Sequence, residues 1–78
     1  MNLLDLKVGQ KAIVLKIDGS RDIKQRLITM GFTKGQIVKL EKIAPLGDPI
    51  DFLVKDYHIS LRKSEASNII VEEIKTEK

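Results

Sequence analysis

The chain has 78 residues, no cysteine and a formal net charge of +3 from 14 basic and 11 acidic residues. This length supports one hydrophobic core and excludes a second domain, while a hydrophobic fraction of 42% excludes a disordered chain. Without cysteine there is neither a thiolate nucleophile nor a disulfide staple, which favours a reducing compartment.

The N-terminal segment predicts a short capped turn followed by a strand. Asn2 is a helix-capping residue, and the Leu-Leu-x-Leu run after it predicts one helical turn. Alternating side chains predict a strand over Lys11–Ile17. We expect Val14 on the outer face of this strand, covered by a helix or by the N-terminal turn, opposite the face formed by Ile13, Leu15 and Ile17.

One substantial helix is predicted over Arg21–Met30. Ser20 is a good N-cap, and Gly31 stands where a left-handed C-cap favours a residue without Cβ. At about 100° per residue, one face of the helix carries Ile23, Leu27 and Met30. Ile28 lies off that stripe and is therefore predicted to be exposed.

Four more strands are predicted in the second half of the chain, over residues 37–44, 50–55, 58–62 and 69–74. The clean alternation of the middle two places Ile50, Phe52, Val54, Ile59 and Leu61 inward. Between the last two strands, Ser64 is expected to cap a single helical turn through residues 65–67.

The predicted fold is mainly β: a small, SH3-like, partly open barrel of about five strands with one inserted α-helix. Isoleucine and valine together outnumber leucine by 16 to 9, and branching at Cβ favours strands. Closing a small sheet into a barrel removes its exposed edges. We expect a single domain over residues 1–74 and a frayed tail over 75–78.

The loop over residues 44–49, Ala-Pro-Leu-Gly-Asp-Pro, is the most informative segment. Proline fixes its own φ and restricts the preceding residue, so Pro45 and Pro49 should stiffen the loop. Leu46 is an apolar side chain at a position where turns are usually polar. It is either a plug that folds back into the core or a preorganised apolar contact for a partner, with Ile28 as a second exposed contact.

The sequence lacks the signatures of the common enzyme classes. It has no Gly-rich phosphate loop and no Gly-x-Ser-x-Gly elbow. His58 near Asp56 is a low-priority alternative as a site for ferrous iron or another divalent cation. Tyr57 is the one aromatic residue left for base stacking, so a nucleic-acid-binding barrel is a weaker alternative. The charges are scattered, which indicates solubility before any attraction to nucleic acid or anionic lipid.

Three motifs resemble the FeoA family. The run Arg-Leu-Ile-Thr-Met-Gly-Phe-Thr-Lys-Gly over residues 26–35 resembles its Arg-Leu-x-x-Met/Leu-Gly-x-x-x-Gly signature. The loop over 44–49 resembles its Ala-Pro-x-Gly-Asp-Pro segment, and Leu61-Arg62-Lys63 followed by Ala66 resembles its Leu-Arg-x-x-x-Ala segment. The similarity extends from residue 3 to about residue 73.

The resemblance implies a non-enzymatic cytoplasmic accessory of ferrous iron uptake that binds FeoB, a membrane permease with a cytosolic GTP-binding domain. Combined with the residues, it predicts a docking face formed by Arg26, Ile28, Met30, Leu46, Gly47 and Pro49. No cofactor and no nucleic acid are expected. The longest apolar run, residues 12–15, is far short of the about 20 residues that span a bilayer. Any membrane role should therefore come through the partner. The oligomeric state stays open, since barrel edges can pair into a homo-oligomer.

Overall fold

The computed structural model describes residues 1–75, in which five strands form one antiparallel sheet of order β4-β3-β2-β1-β5. The elements in chain order are a 3₁₀ turn (Leu3–Asp5), β1 (Lys11–Ile17), α1 (Arg21–Met30), β2 (Ile37–Ile43), β3 (Ile50–Val54), β4 (Tyr57–Leu61), α2 (Lys63–Ala66) and β5 (Ile69–Ile74). The outermost strands β4 and β5 do not pair with each other, so the sheet stays open. The mainly β fold with a helix inserted after the first strand is therefore confirmed.

The local capping predictions are confirmed at three helix ends. The Asn2 side chain accepts a hydrogen bond from the Leu4 N–H at 2.8 Å, and Ser20 Oγ accepts one from the Ile23 N–H at 3.3 Å. Gly31 has φ 114°, and its N–H donates to the Ile28 carbonyl at 3.0 Å. These short-range bonds set where the first turn and α1 begin and where α1 ends.

The core lies between the inner face of the sheet, α1 and the short helical turns. Its rings, Phe32 and Phe52, meet edge to face with centroids 6.3 Å apart, a favourable arrangement for aromatic pairs. From α1, Leu27 is fully buried and Met30 packs against the core, whereas Ile23 stays partly exposed. The remaining buried side chains are Leu3, Leu6, Ala12, Val14, Val38, Leu40, Ile50, Val54, Leu61, Ala66, Ile69 and Val71.

Val14 is covered as predicted, but the face of β1 to which it was assigned is wrong. Val14 is 1% exposed and belongs to the core, whereas Leu15 is 40% exposed at the surface. Both faces of this strand are apolar, so alternation alone could not decide which one points inward. An irregularity in the pairing of β1 with β5 between Val14 and Lys16 then lets Ile17 return to a half-buried position against the core.

Smaller differences concern element ends. The strands β2 and β3 each end one residue earlier than predicted, and β4 begins at Tyr57. Ser64 is not a cap: α2 begins at Lys63 after Arg62, whose N–H donates to Glu65 Oε1 at 3.0 Å. The predicted frayed tail lies, except for Lys75, outside the described residues. Among residues 1–75 no helix has the length and apolarity needed to cross a bilayer.

Candidate partner-docking site

The loop between β2 and β3 presents its leucine to solvent. Leu46 is 96% exposed, so it does not fold back as a core plug. The loop is closed beneath it by two backbone hydrogen bonds, from the Gly47 N–H to the Ala44 carbonyl at 2.7 Å and from the Ala44 N–H to the Pro49 carbonyl at 3.1 Å. Gly47 has φ 89°, a left-handed conformation that residues with a Cβ rarely adopt. An apolar side chain therefore stands at the tip of a tightly closed turn.

The loop is also fastened to α2. Asp48 Oδ1 accepts a hydrogen bond from the Lys63 N–H at 2.9 Å, which satisfies one of the donors that the first turn of a helix leaves unpaired. The Lys63 ammonium lies over the turn, 3.2 Å from the position that a Cβ would take at Gly47. Because the loop is held at its base by polar contacts, Leu46 is positioned before any partner arrives.

A hollow of about 270 Å³ lies beside this loop, between α1, β4 and α2. Its lining residues are Arg26, Asp48, Pro49, Ser60, Arg62 and Glu65. Arg26 Nη1 is 2.9 Å from Glu65 Oε2, and the Glu65 side chain is mostly buried whereas that of Arg26 is mostly exposed. This contact is an ion pair rather than an aligned hydrogen bond, because Glu65 Oε2 has no hydrogen-bond partner. It ties α1 to the helix that holds the loop.

Arg62 also lines this hollow, although the sequence motifs did not predict it as part of the docking face. It is exposed, and within residues 1–75 its guanidinium forms no ion pair, so it can receive a carboxylate from outside the chain. Its sequence signal was its place in the Leu-Arg-x-x-x-Ala segment, directly before the helix that fastens the loop.

The structure brings only some of the predicted site residues together. Arg26 and Pro49 line one hollow, next to Leu46. Ile28 is exposed but lies in a different groove with Leu15, because residues two apart on a helix point to different sides. That second groove has a volume of about 260 Å³ and is lined by Leu15, Lys16, Ile17, Lys24, Ile28, Phe32 and Lys34.

The alternative metal site is placed differently from the expectation. His58 Nδ1 lies 2.8 Å from Glu41 Oε1, so the carboxylate it meets is Glu41 on β2 rather than its near neighbour Asp56. Alternation along β2 puts Glu41 on the same outward face as Lys39, and Lys39 is opposite Leu53, which is in turn opposite His58. The contact therefore follows from the alignment of β2, β3 and β4, which the sequence alone did not give. Within the described part of the chain, no group of three His, Asp or Glu side chains is arranged to hold a metal ion.

The chain matches one protein family, and several solved structures have a similar fold. The FeoA domain profile matches residues 1–73. The Fe(2+) transport protein A/Fe(2+) transporter FeoB fusion protein of Porphyromonas gingivalis is 35% identical over 72 residues, which cover 92% of this chain and 8% of that protein. The chain thus spans only a small part of that relative.

Solved structures agree in fold. A FeoA-like protein from Clostridium acetobutylicum is 32% identical with a TM-score of 0.90, covering 100% of this chain and 91% of the other. The crystal structure of Stenotrophomonas maltophilia FeoA in complex with zinc, described as a procaryotic SH3 domain protein, is 32% identical with a TM-score of 0.81, covering 92% and 89% of the two chains. The SH3-like architecture expected from the sequence is thereby confirmed.

Proposed function

This chain belongs to the FeoA domain family, and from that premise we propose that it is a non-enzymatic accessory of ferrous iron uptake that binds a FeoB-type permease through the Leu46 loop. The family connects the chain to ferrous iron transport. The fusion of a related domain to FeoB in Porphyromonas gingivalis supports FeoB as the partner, since covalent joining keeps two interacting modules at high effective concentration.

The observation that carries the proposal is the nearly complete exposure of Leu46 on a loop that polar contacts hold in place. Burying a leucine side chain contributes about 1.5–3 kcal/mol, which corresponds to about 10- to 100-fold in affinity. A loop that is already ordered loses little conformational entropy on binding, so more of that contribution remains as affinity.

The hollow beside the loop supplies the polar part of the proposed contact. A carboxylate of the permease pairs there with the guanidinium of Arg62, while the mostly exposed Arg26 keeps its link to Glu65. Gly47 and Pro49 shape the surface between the apolar tip and this hollow. Since FeoB carries a cytosolic GTP-binding region, the chain acts on the cytoplasmic side of the membrane, at that region or near it.

The helix contributes unequally to this proposed footprint. Arg26 lines the hollow, whereas Met30 packs against the core and is not among the lining residues. Ile28 lies in the second groove, so the permease would contact it only if the interface extended across α1. We therefore place Leu46, Gly47, Pro49 and Arg26 at the centre of the footprint and Ile28 at its margin.

A binding measurement tests the proposal. The chain and its Leu46→Asp variant are titrated onto detergent-solubilised FeoB, with and without guanine nucleotide. We expect wild-type binding and a loss of at least about 10-fold in the variant, as estimated from the burial of one leucine. The matched control is Val8→Asp, which makes the same change at an apolar residue that is 59% exposed in another turn. An unchanged affinity of a folded Leu46→Asp variant overturns the assignment.

A second candidate function is direct binding of a divalent cation. The zinc in the Stenotrophomonas maltophilia FeoA crystal favours testing it here. In this chain, His58 and Glu41 supply two ligands at 2.8 Å from each other, which suits only a weak site completed by water or by a partner. Anaerobic calorimetry with ferrous iron separates the two functions: binding that disappears in His58→Ala supports a sensor or carrier, and absence of binding leaves the docking function alone.

A further inference from the structure

We propose that the outer face of the sheet binds anionic lipid headgroups through Lys11, Lys39 and Lys55, so that the chain contacts the membrane directly beside its permease. This inference rests on the proposed function, because the permease is what brings the chain to a membrane surface. It departs from the sequence-based expectation that any membrane role comes only through the partner.

The fold gathers these lysines from three separate parts of the chain. Lys11 and Lys39 are direct cross-strand partners in the pairing of β1 with β2, and Lys39 is in turn opposite Leu53 on β3. Lys55 follows β3 in the turn to β4. Together they line a hollow of about 250 Å³ whose other lining residues are Gln36, Ile37 and Leu53.

The charged residues that line this hollow are all basic. None of the residues lining the hollow is acidic. In the part of the chain that the structure describes, the ion pairs engage Lys16, Arg26 and His58, and none of the three lysines. Lysines directly opposite each other in a sheet repel and destabilise the pairing. Anionic headgroups would neutralise the lysine charges and relieve this repulsion, so the hollow is suited to an anionic surface.

The shape and side chains of the hollow select the class of anion. No aromatic residue lines it, so it lacks the stacking platform that single-stranded nucleic acid uses. β1, β2 and β3 are paired on both sides, so a peptide cannot add to them as a further strand. Ile37 lies among the lysines and is 49% exposed. Protein surfaces that bind at the membrane interface combine basic side chains with apolar ones of this kind.

The lipid surface and the docking site can be occupied together. The lining residues of the lysine hollow and those of the hollow beside Leu46 have no member in common. The two sites also lie at opposite ends of β2 and β3, because the Leu46 loop follows the Ile43–Ile50 pair whereas Lys39 and Lys55 flank the Val38–Val54 pair. A chain seated on lipid through its lysines therefore keeps the Leu46 loop free for the permease. Each basic residue near an anionic membrane strengthens binding by about 5-fold at physiological salt, so three give about 100-fold.

Vesicle co-sedimentation of the chain alone tests this inference. The probes are vesicles of phosphatidylcholine and vesicles in which phosphatidylglycerol replaces one third of the phosphatidylcholine. We expect binding to the anionic vesicles only, reduced by about 100-fold in the variant Lys11→Gln/Lys39→Gln/Lys55→Gln. The control variant Lys16→Gln/Lys24→Gln/Lys34→Gln removes the same charge from the groove between α1 and β1 and is expected to keep most of the binding. Thermal unfolding shows whether both variants are folded.

Four results would overturn the inference: no binding of the wild-type chain, equal losses in the two triple variants, displacement from the vesicles by millimolar inorganic phosphate, or tighter binding to a short oligonucleotide than to anionic vesicles. Equal losses would mean that only net charge matters, and the last two results would assign the hollow to a soluble phosphate or to nucleic acid. Because the vesicles contain no permease, a negative result leaves the FeoB contact standing. Conversely, we expect the Lys11→Gln/Lys39→Gln/Lys55→Gln variant to bind detergent-solubilised FeoB as wild type does.

Discussion

The Leu46 loop and the outer face of the sheet are both exposed, but they are built in opposite ways. The loop is a contiguous six-residue segment whose turn is closed by its own backbone and fastened to α2 by Asp48. The lysine face is assembled from residues 11, 39 and 55, which only the register of the sheet makes neighbours. A contiguous site can be recognised from a sequence, whereas an assembled one becomes visible only after folding.

The difference also lies in what each surface does to the free protein. The loop is internally satisfied, with hydrogen bonds at its base and one apolar side chain at its tip. The lysine face holds like charges next to one another. The first surface is therefore suited to a specific protein contact, and the second to a diffuse electrostatic one.

The largest expected effect comes from the core. Phe52 lies on β3, the strand that connects the Leu46 loop to Lys55, where it is fully buried and meets Phe32 edge to face. Phe52→Ala should lower the free energy of unfolding by about 3–5 kcal/mol, which is a large part of the stability of a domain of this size. Thermal unfolding measures this loss. A loss of less than about 1 kcal/mol would mean that this ring is not a main support of the core.

The next largest effect should be confined to the Leu46 loop and leave the lysine face unchanged. Leu46→Asp should weaken FeoB binding by about 1.5–3 kcal/mol while changing the free energy of unfolding by at most about 0.5 kcal/mol, because the leucine is almost fully exposed. The same variant should bind anionic vesicles as wild type does. A loss of both activities would indicate that the loop and the lysine face are one surface rather than two.

A glycine substitution tests whether the loop is preorganised. Gly47→Ala forces a residue with a Cβ into the left-handed conformation, which costs about 1–2 kcal/mol. The Cβ itself meets only the end of the flexible Lys63 side chain, so the strain comes from the backbone. We expect a lower unfolding temperature and weaker FeoB binding, with Gly35→Ala as the control at a second left-handed glycine outside the loop. Equal FeoB affinities of the two variants would count against preorganisation.

The smallest effect reports on the lysine face alone. Lys11→Gln removes the repulsion with Lys39 and should raise the free energy of unfolding by about 0.2–1 kcal/mol. The gain should shrink as salt is added, since exposed charges are screened. Urea unfolding at low and high salt measures both. A destabilised variant would mean that packing of the Lys11 methylene groups stabilises the fold by more than the repulsion between the two charges destabilises it.

The sequence allowed much of the fold and part of the site to be predicted, and the failures have physical causes. Capping by Asn2 and Ser20 depends on neighbours within three residues and could be read directly. The sidedness of β1 could not, because both of its faces are apolar and only packing places Val14 inward. The Leu46 loop was recognisable because its prolines, glycine and leucine are adjacent.

Long-range contacts were beyond reach for a different reason. The contact between His58 and Glu41 depends on the alignment of β2, β3 and β4, and the meeting of Lys11 with Lys39 depends on the register of β1 and β2. Residue types alone carry neither piece of information. Arg26 and Ile28 were grouped into one face by their closeness in sequence, yet the helix directs them into different hollows.

Site-specific photo-crosslinking tests the central claim most directly. A photoreactive residue replaces Leu46 in one variant and Ile37 in a second, and both are mixed with FeoB reconstituted in anionic vesicles. We expect position 46 to crosslink to the permease and position 37 to crosslink to lipid. A permease that crosslinks at position 37 but not at position 46 would contradict it.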